Sequence, residues 1–236
     1  MKAARCWAVV PAAGAGRRMG GSLPKQFLPL RSRTVLAWAL EPLLRCPRVA
    51  GVVLAVPPGD DRWRDAVGEP AGLLTVEGGS ERCDSVLAGL EALAGRSAAE
   101  DWVLVHDAAR PCLSTGELAS LLDSLWNEAV GGLLALPLTD TLKRSDASGR
   151  VAETLPRSGL WRALTPQMFR YAALREALRV AAADGDPPTD EAAAMERAGH
   201  RPRLVAGRPE NLKITGPADL ALAEAVLAAR EMPACA

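Results

Sequence analysis

The loop that follows the first apolar run of the chain constrains the fold more than any other feature. Residues 7–11 are apolar and partly β-branched, as in a strand buried on both faces, and residues 12–16 contain only alanine and glycine. Gly14 and Gly16 can adopt backbone angles closed to other residues, and they let a ligand approach the main chain. Successive N–H groups in such a loop form an anion-binding concavity, to which the two arginines and the lysine that follow add positive charge. The loop suits a phosphate, although similar turns without a ligand are common in α/β proteins.

Two familiar nucleotide-binding loops do not fit these residues. A dinucleotide fingerprint requires the spacing G-x-G-x-x-G, but counted from Gly14 the third glycine, Gly20, stands one residue too late. A P-loop requires Gly-Lys-Ser/Thr, whereas Lys25 follows Pro24. The loop is therefore of neither kind, and its glycine spacing disfavours a Rossmann oxidoreductase.

Predicted strands and helices alternate along most of the chain. This alternation predicts an α/β fold with a mostly parallel central sheet, helices on its faces and right-handed crossovers. The length of 236 residues fits a single domain, which we assign to residues 1–236. The predicted strands are 7–11, 51–56, 73–76, 102–105, 131–136, 203–206 and 211–215, and the predicted helices are 34–44, 61–67, 83–93, 115–129, 171–183, 189–198 and 217–230.

Residues 137–160 depart from this alternation. Two short segments of alternating polarity, 139–144 and 151–155, flank a turn-like stretch at 145–149, which predicts a β-hairpin. The hairpin lacks the apolar surface for a core of its own. We therefore expect it to project as an arm and to pack against another surface, such as a second copy of the chain.

Two loops after predicted strands suit a phosphorylated ligand and its metal ion. Asp107 follows the strand 102–105, and a carboxylate at such a tip can hold Mg²⁺ against phosphates. A helix-capping aspartate would give the same pattern, but Ser114 and Glu117 form a better capping box for the next helix. Residues 78–79 are glycines between a strand and a helix, where open α/β sheets bind ligands, although a simple connecting turn would also fit.

Composition and charge exclude several classes of protein. The formal net charge is zero, which speaks against a broad electrostatic surface for nucleic acid or an anionic membrane. No apolar run approaches the roughly 20 residues of a membrane span, and no signal segment is recognisable, so we expect a cytoplasmic protein. Five scattered cysteines without a C-x-x-C pair, with two histidines, argue against a disulfide framework, a zinc site and cysteine catalysis.

Several motifs together resemble one family, 2-C-methyl-D-erythritol 4-phosphate cytidylyltransferase of the non-mevalonate isoprenoid pathway. The resemblance runs from about residue 7 to about residue 227. Single motifs recur in other sugar-nucleotide transferases, but the complete series is specific. The motifs are PAAGAGRRM (11–19), PKQ (24–26), GGSER (78–82), DSV (84–86), VHDAARP (105–111), DTLKR (140–144), TPQ (165–167), TDEA (189–192) and NLKIT (211–215).

This resemblance implies a homodimer of Rossmann-like nucleotidyltransferase subunits that joins CMP from CTP to methylerythritol phosphate and releases pyrophosphate. Mg²⁺ would be the cofactor, bound by Asp107, and the arm at 137–160 would reach the partner subunit. The implied nucleotide contacts are Pro11, Ala12, Ala13, Gly14, Ala15, Gly16, Gly79, Ser85, Asp107 and Ala108. The implied catalytic cations are Arg18, Lys25 and Lys213, and the implied acceptor contacts are Asp107, Arg110, Thr165 and Thr189, with Thr141 and Arg157 from the partner.

Departures from the family pattern are few, and two other functions stay open at this point. Ser80 stands where other members carry an acid, and Cys83 has no role that the motifs explain. A cytidylyltransferase for another polyol phosphate, such as ribitol 5-phosphate, would share the nucleotide half of the site. A non-catalytic nucleotide-binding homologue is the other alternative, although simple binding would not require Lys25, Asp107 and Lys213 together.

Overall fold

The strand that precedes the glycine-alanine loop lies inside a seven-stranded sheet. The computed structural model describes residues 4–14 and 23–231. In chain order its elements are β1 (Cys6–Pro11), a 3-10 turn (Lys25–Phe27), β2 (Pro29–Leu30), β3 (Arg33–Thr34), α1 (Val35–Leu44), β4 (Val49–Val56), α2 (Arg62–Val67), β5 (Leu73–Glu77), α3 (Arg82–Ala92), β6 (Trp102–Val105), α4 (Thr115–Leu125), β7 (Gly131–Pro137), β8 (Leu142–Ser145), β9 (Val151–Leu155), β10 (Trp161–Arg170), α5 (Tyr171–Asp184), α6 (Glu191–Arg197), β11 (Arg203–Ala206) and α7 (Pro217–Glu231).

The sheet is mostly parallel, as predicted. Its strand order is β11-β7-β10-β6-β1-β4-β5, and β10 alone runs antiparallel to both of its neighbours within the described chain. The carboxyl ends of the other six strands consequently meet at one edge. In open α/β sheets that edge is where ligands bind.

Side chains of β1 alternate between the two faces of the sheet, and each face carries its own buried cluster. Ala8 and Val10 pack in the cluster formed with α1, α2 and α4, whereas Trp7 and Val9 pack in the cluster formed with α3, α5 and α6. A smaller cluster joins α7 to Leu30 and to neighbouring residues. Since strands buried on both faces lack a polar face, this arrangement accounts for the near-continuous apolar runs in the sequence.

Capping residues fix the starts of two helices where the sequence predicted them. The Thr34 hydroxyl accepts the amide of Ala37 at 3.1 Å at the start of α1. Ser114 and Glu117 form the predicted reciprocal capping box at the start of α4. Such caps satisfy backbone donors that the first helical turn leaves unpaired.

The predicted strand at 211–215 is wrong. This segment has no regular secondary structure, and its hydrogen bonds do not form a ladder with a neighbouring strand. The amide of Ile214 donates to the carbonyl of Ala109 at 2.8 Å, and the side-chain amide of Asn211 donates to the carbonyl of Thr165 at 2.8 Å. Tertiary contacts therefore replace the ladder that the alternating pattern suggested.

The predicted hairpin is present as a separate two-stranded sheet formed by β8 and β9. Its residues are almost all exposed in the single chain. Elsewhere in the described ranges, 4–14 and 23–231, no helix combines the length and the apolar character needed to cross a bilayer.

Candidate active site

A cleft of about 320 Å³ opens at the carboxyl edge of the sheet. Loops that are far apart in the sequence meet there, because β1, β6 and the loop before α3 all end at this edge. The lining residues are Pro11, Ala12, Ala13, Gly14, Lys25, Gln26, Gly79, Ser80, Glu81, Arg82, Ser85, Asp107, Ala108, Ala109, Lys213 and Thr215.

The loop after β1 is held in place by a buried glutamine. The side-chain amide of Gln26 donates to the carbonyls of Ala12 and Gly14, at 2.7 and 3.0 Å. These two hydrogen bonds fix the backbone of residues 12–14 at the cleft. Three predicted residues of the same loop, Ala15, Gly16 and Arg18, lie outside the described residues.

The glycines before α3 permit a close approach of two chain segments. A Cβ atom at Gly78 would lie 2.7 Å from Cβ of Ala13 and 2.7 Å from Oγ of Ser85, which is too short for real carbon atoms. At Gly79 the corresponding clash is with Cβ of Asp84 at 2.3 Å. Gly78 therefore allows this loop to lie against Ala13, and Gly79 allows it to lie against Asp84 at the start of α3.

Asp107 is the centre of a charged cluster. Its Oδ2 lies 2.8 Å from Nζ of Lys213 and 3.6 Å from Nε of Arg110, and its Oδ1 accepts Nε–H of Arg82 at 2.9 Å. Burial would raise the pKa of this carboxyl, but the charges of Arg82, Lys213 and Arg110 outweigh it and hold the pKa well below its usual range. Asp107 is thus an anion that gathers three cations beside the cleft.

Arg82 also contacts a second buried carboxylate. Its Nη1 and Nη2 donate to Oε1 and Oε2 of Glu191 at 2.6 and 3.1 Å. Burial acts to lower the pKa of Arg82, but the charges of Glu191 and Asp107 raise it above the ordinary arginine value. The guanidinium therefore bridges two acids that belong to different parts of the chain.

A buried network of hydrogen bonds fixes the backbone of Asp107. The Asp107 amide donates to Oγ1 of Thr165 at 3.1 Å, and Nδ1 of His106 lies 3.0 Å from the same hydroxyl. Nε2 of His106 lies 3.1 Å from the carbonyl of Arg110, which can only accept, so Nε2 carries the proton and Nδ1 accepts from Thr165. Burial lowers the pKa of His106 to about 4, which is consistent with a neutral ring.

The two predicted catalytic lysines come from opposite ends of the chain to the same cleft. Lys25 Nζ donates to the carbonyl of Ile214 at 2.8 Å, next to Lys213. The segment that carries Lys213 is fixed further by Asp219, whose Oδ2 accepts the amide and the hydroxyl of Thr215 at 2.8 and 2.6 Å. The hydrogen bonds from Thr215 lower the pKa of Asp219. Both amines consequently have defined positions.

The described lining of the cleft does not include Arg110, Thr141, Arg157, Thr165 or Thr189. Arg110 and Thr165 are buried behind Asp107, where Arg110 Nη1 also donates to the carbonyl of Asn211 at 2.7 Å. Thr189 is exposed beside α6. Thr141 and Arg157 lie in the arm, on either side of the hairpin strands β8 and β9, and Arg157 donates to the carbonyl of Thr139.

Three residues of the site received no role from the sequence. Gln26 and Arg82 stood inside recognised motifs, and Glu191 stood in the TDEA motif, but charged and polar residues at such positions are usually solvated. The sequence offered one indication of their function, which is that each lies in a motif that contains or adjoins residues with an assigned role. Burial, which reveals their importance, is a property of the folded chain.

Asp107 also suits a Mg²⁺ ion. The described residues contain no group of three or more acids, histidines or cysteines that could form a complete protein cage. Mg²⁺ in nucleotide enzymes needs no such cage, since one or two carboxylates together with substrate phosphates hold it. Oδ1 of Asp107 has two lone pairs, one of which accepts from Arg82, so the carboxylate has capacity for a further ligand.

A mostly parallel sheet that gathers a glycine-alanine loop, an aspartate and several cations at its carboxyl edge defines a nucleotide-binding α/β enzyme. The profile of the family "2-C-methyl-D-erythritol 4-phosphate cytidylyltransferase" (IspD) matches residues 6–229. The chain therefore belongs to this family, and it is a nucleotidyltransferase.

Individual relatives agree over nearly the whole chain. The 2-C-methyl-D-erythritol 4-phosphate cytidylyltransferase of Ectopseudomonas mendocina is 52% identical over 217 residues, covering 91% of this chain and 92% of that protein. The enzyme of the same name from Hahella chejuensis is 46% identical over 228 residues, with coverages of 96% and 95%. The crystal structure of a 4-diphosphocytidyl-2C-methyl-D-erythritol synthase, 37% identical, superposes with a TM-score of 0.82 over 96% of this chain and 99% of that one.

Proposed function

We propose that the chain transfers CMP from CTP to the phosphate of 2-C-methyl-D-erythritol 4-phosphate, giving 4-diphosphocytidyl-2-C-methyl-D-erythritol and pyrophosphate in the non-mevalonate pathway. The observation that carries the proposal is the meeting of Lys25, Lys213 and Asp107 at a cleft bounded by the glycine-alanine loop. The names of the relatives agree with this reaction. We also propose that the chain acts in the cytoplasm.

The chemistry requires charge stabilisation more than it requires a base. An oxygen of the acceptor phosphate attacks the α-phosphorus of CTP, a new P–O bond forms, and the bond to the pyrophosphate oxygen breaks. Since the acceptor phosphate is already ionised near neutral pH, no side chain has to remove a proton. Both reactants are anions, so the enzyme lowers the barrier by positioning them and by supplying fixed positive charge.

The residues of the cleft divide this work. The loop of residues 11–16, with Gly79, Ser85 and Ala108, would bind the cytidine and the triphosphate. Arg18, Lys25 and Lys213 would stabilise the additional charge on the α-phosphate in the five-coordinate transition state. Lys25 and Lys213 are already held at the edge of the cleft by a carbonyl and by Asp107, which supports these roles.

Asp107 is the residue that would hold Mg²⁺. The ion would neutralise charge on the departing pyrophosphate. Asp107 contributes further by orienting Lys213, to which it is already bonded, and Arg110 and Thr165 keep the carboxylate and its backbone in place. Because Arg110 and Thr165 are buried behind Asp107, they would act on the acceptor through that carboxylate, whereas the exposed Thr189 would contact the acceptor directly.

The remaining acceptor contacts would come from a partner subunit. Thr141 and Arg157 belong to an arm whose apolar residues Val151 and Leu160 are 65% and 40% exposed in the single chain. Apolar side chains on a projecting hairpin favour an interface, and a two-fold dimer would place each arm on the other subunit. We therefore propose a homodimer formed through residues 137–160, in which each active site contains residues of both subunits.

Pyrophosphate release from CTP, measured with each candidate acceptor in the presence of Mg²⁺, tests the proposed reaction. We expect release that depends on 2-C-methyl-D-erythritol 4-phosphate and that a chelator abolishes. Faster release with ribitol 5-phosphate would assign a different acceptor. Tight CTP binding without turnover on any acceptor would instead indicate a nucleotide-binding protein.

A further inference from the structure

Glu191 is an acid with an unusual location. Glu191 is 1% exposed, on a helix of seven residues that also has exposed positions. Burial of an isolated carboxylate costs free energy, because the charge loses its hydration. The two oxygens of Glu191 are taken by the two terminal nitrogens of Arg82, which is a bidentate geometry. Buried ion pairs of this kind contribute little net stability, so their geometry suggests another use.

The start of α6 holds Glu191 in a fixed position. Gln167 on β10 donates Nε2–H to Oδ2 of Asp190 at 2.9 Å, and its Oε1 accepts the amide of Ala192 at 2.8 Å. Oδ1 of Asp190 caps the helix by accepting the amide of Ala193 at 2.8 Å. Glu191, between these anchored residues, therefore has little freedom to follow Arg82 if the arginine moves.

The third donor of Arg82 points to the reaction centre. While Nη1 and Nη2 bind Glu191, Nε donates to Oδ1 of Asp107, and Oδ2 of Asp107 binds Lys213. Asp107 therefore lies between Arg82, which is anchored to α6, on one oxygen and Lys213, with Arg110 at 3.6 Å, on the other. If the ion pair between Glu191 and Arg82 weakens, the position of the Asp107 carboxylate between Arg82 and Lys213 changes.

We propose that Glu191 is a positioning residue, which acts through Arg82 to keep Asp107 directed toward Lys213. When Glu191 is neutral, Asp107 is the one anion of the described chain that still pairs with Arg82. The stronger attraction to Arg82 then moves the Asp107 carboxylate away from Lys213. Lys213 then loses its place beside the α-phosphate. This inference rests on the proposed function, since it concerns the same cleft.

Kinetics of Glu191→Gln, Arg82→Gln and the double variant test the proposal. Partners that orient a site residue typically contribute about 10–100-fold, so Glu191→Gln should lower kcat by about that factor, with a smaller change in the KM for CTP. In the Arg82→Gln background the same change should have no further effect, because Glu191 acts only through Arg82. Glu191→Asp, which keeps the charge on a shorter side chain, should show a partial loss in the same parameter.

Acylation of lysine amines, followed by mass spectrometry, gives a readout that does not depend on turnover. Lys213 has a side chain 37% exposed, so a reagent can reach it, and the exposed Lys143 serves as the internal reference. Glu191→Gln should raise the labelling rate of Lys213 relative to Lys143, and it should not do so when Arg82 is already glutamine. The matched control is Glu91→Gln, which removes another bidentate arginine pair, with Arg175, away from the cleft.

The outcomes separate the two proposals. Unchanged kcat and unchanged Lys213 labelling in Glu191→Gln, with only a lower midpoint of thermal unfolding, would reduce Glu191 to a structural residue and overturn the inference. An equal loss in both Arg82 backgrounds would overturn it as well. Absence of turnover by the unmodified chain would refute the proposed reaction, and the labelling result would still decide whether Glu191 acts on Lys213.

Discussion

Lys213 Nζ lies 2.8 Å from Asp107 Oδ2, so a lysine near the end of the chain is paired with the carboxylate that follows β6. This contact joins the carboxyl edge of the sheet to an irregular segment before α7. It keeps the lysine oriented before substrate binds. Preorganised charge of this kind is worth more to a transition state than charge that must be recruited during the reaction.

The first prediction concerns the two lysines of the cleft. Lys25→Ala and Lys213→Ala should each lower kcat by about 10²–10³-fold and weaken CTP binding far less, because the additional charge on the α-phosphate exists only in the transition state. Single-turnover rates and calorimetric CTP titrations separate these effects. Arg179→Ala, which removes an exposed cation from α5, is the control. Wild-type turnover by both lysine variants would contradict the mechanism.

Local sequence patterns predicted six of the seven strands of the central sheet and the residues at their ends, but β10 was not among the predicted strands. The apolar runs of β1 and β6 predicted buried strands, and parallel strands bring their ends together, so Ala12 and Asp107 were expected at one cleft. Lys25 and Lys213 were assigned by resemblance, and the fold brings both to that cleft. The hairpin was recognisable because its polarity alternates where the surrounding pattern does not.

Contacts between distant segments could not be predicted in this way. Arg82 and Glu191 are 109 positions apart, and each has the sequence context of a solvated charge at a helix start. Residues 211–215 have the alternation of a strand, but the hydrogen bonds of Asn211 to Thr165 on β10 and of Ile214 to the loop residue Ala109 outweigh that preference. In both cases tertiary packing, which local pattern does not encode, decides the outcome.

The second prediction concerns the close approach at Gly78. Gly78→Ala should raise the KM for CTP, because the added methyl group must displace Ala13 or Ser85 from the nucleotide side of the cleft. Overpacking of this kind costs about 1–3 kcal/mol, which corresponds to about a 5- to 150-fold loss of CTP affinity if all of it is expressed in binding. Gly116→Ala on α4, where a Cβ would have no atom within 4 Å, is the matched control and should leave the affinity unchanged. Equal CTP affinities for the two alanine variants would show that the loop can move aside.

The third prediction is a pH dependence of stability that comes from His106. Burial lowers the pKa of this group in the folded chain to about 4, whereas the unfolded value is near 6.5, so between these values the unfolded chain binds more protons. The contribution is fully present above about pH 6.5 and is lost as the pH falls to about 4, at up to about 1.4 kcal/mol per pH unit. The total is on the order of 3 kcal/mol.

Denaturant unfolding at several pH values measures this slope. His106→Gln should lower the free energy of unfolding at every pH, because its hydrogen bonds with Thr165 and Arg110 change, but it should also flatten the slope between pH 4 and pH 6.5. An identical slope in the parent chain and in His106→Gln would mean that His106 is not the group responsible.

The fourth prediction tests supply of Arg157 by the partner subunit. Arg157→Ala and Lys25→Ala chains should each be nearly inactive alone. In a mixed dimer with Arg157 acting across the interface, the Arg157→Ala subunit receives an intact arm from the Lys25→Ala subunit, so one of the two sites has both residues. Random mixing of equal amounts should then restore about one quarter of the activity of the parent dimer, because half of the dimers are mixed. If Arg157 instead acts within its own subunit, every site keeps a defect and mixing restores nothing, which would refute this function of the arm.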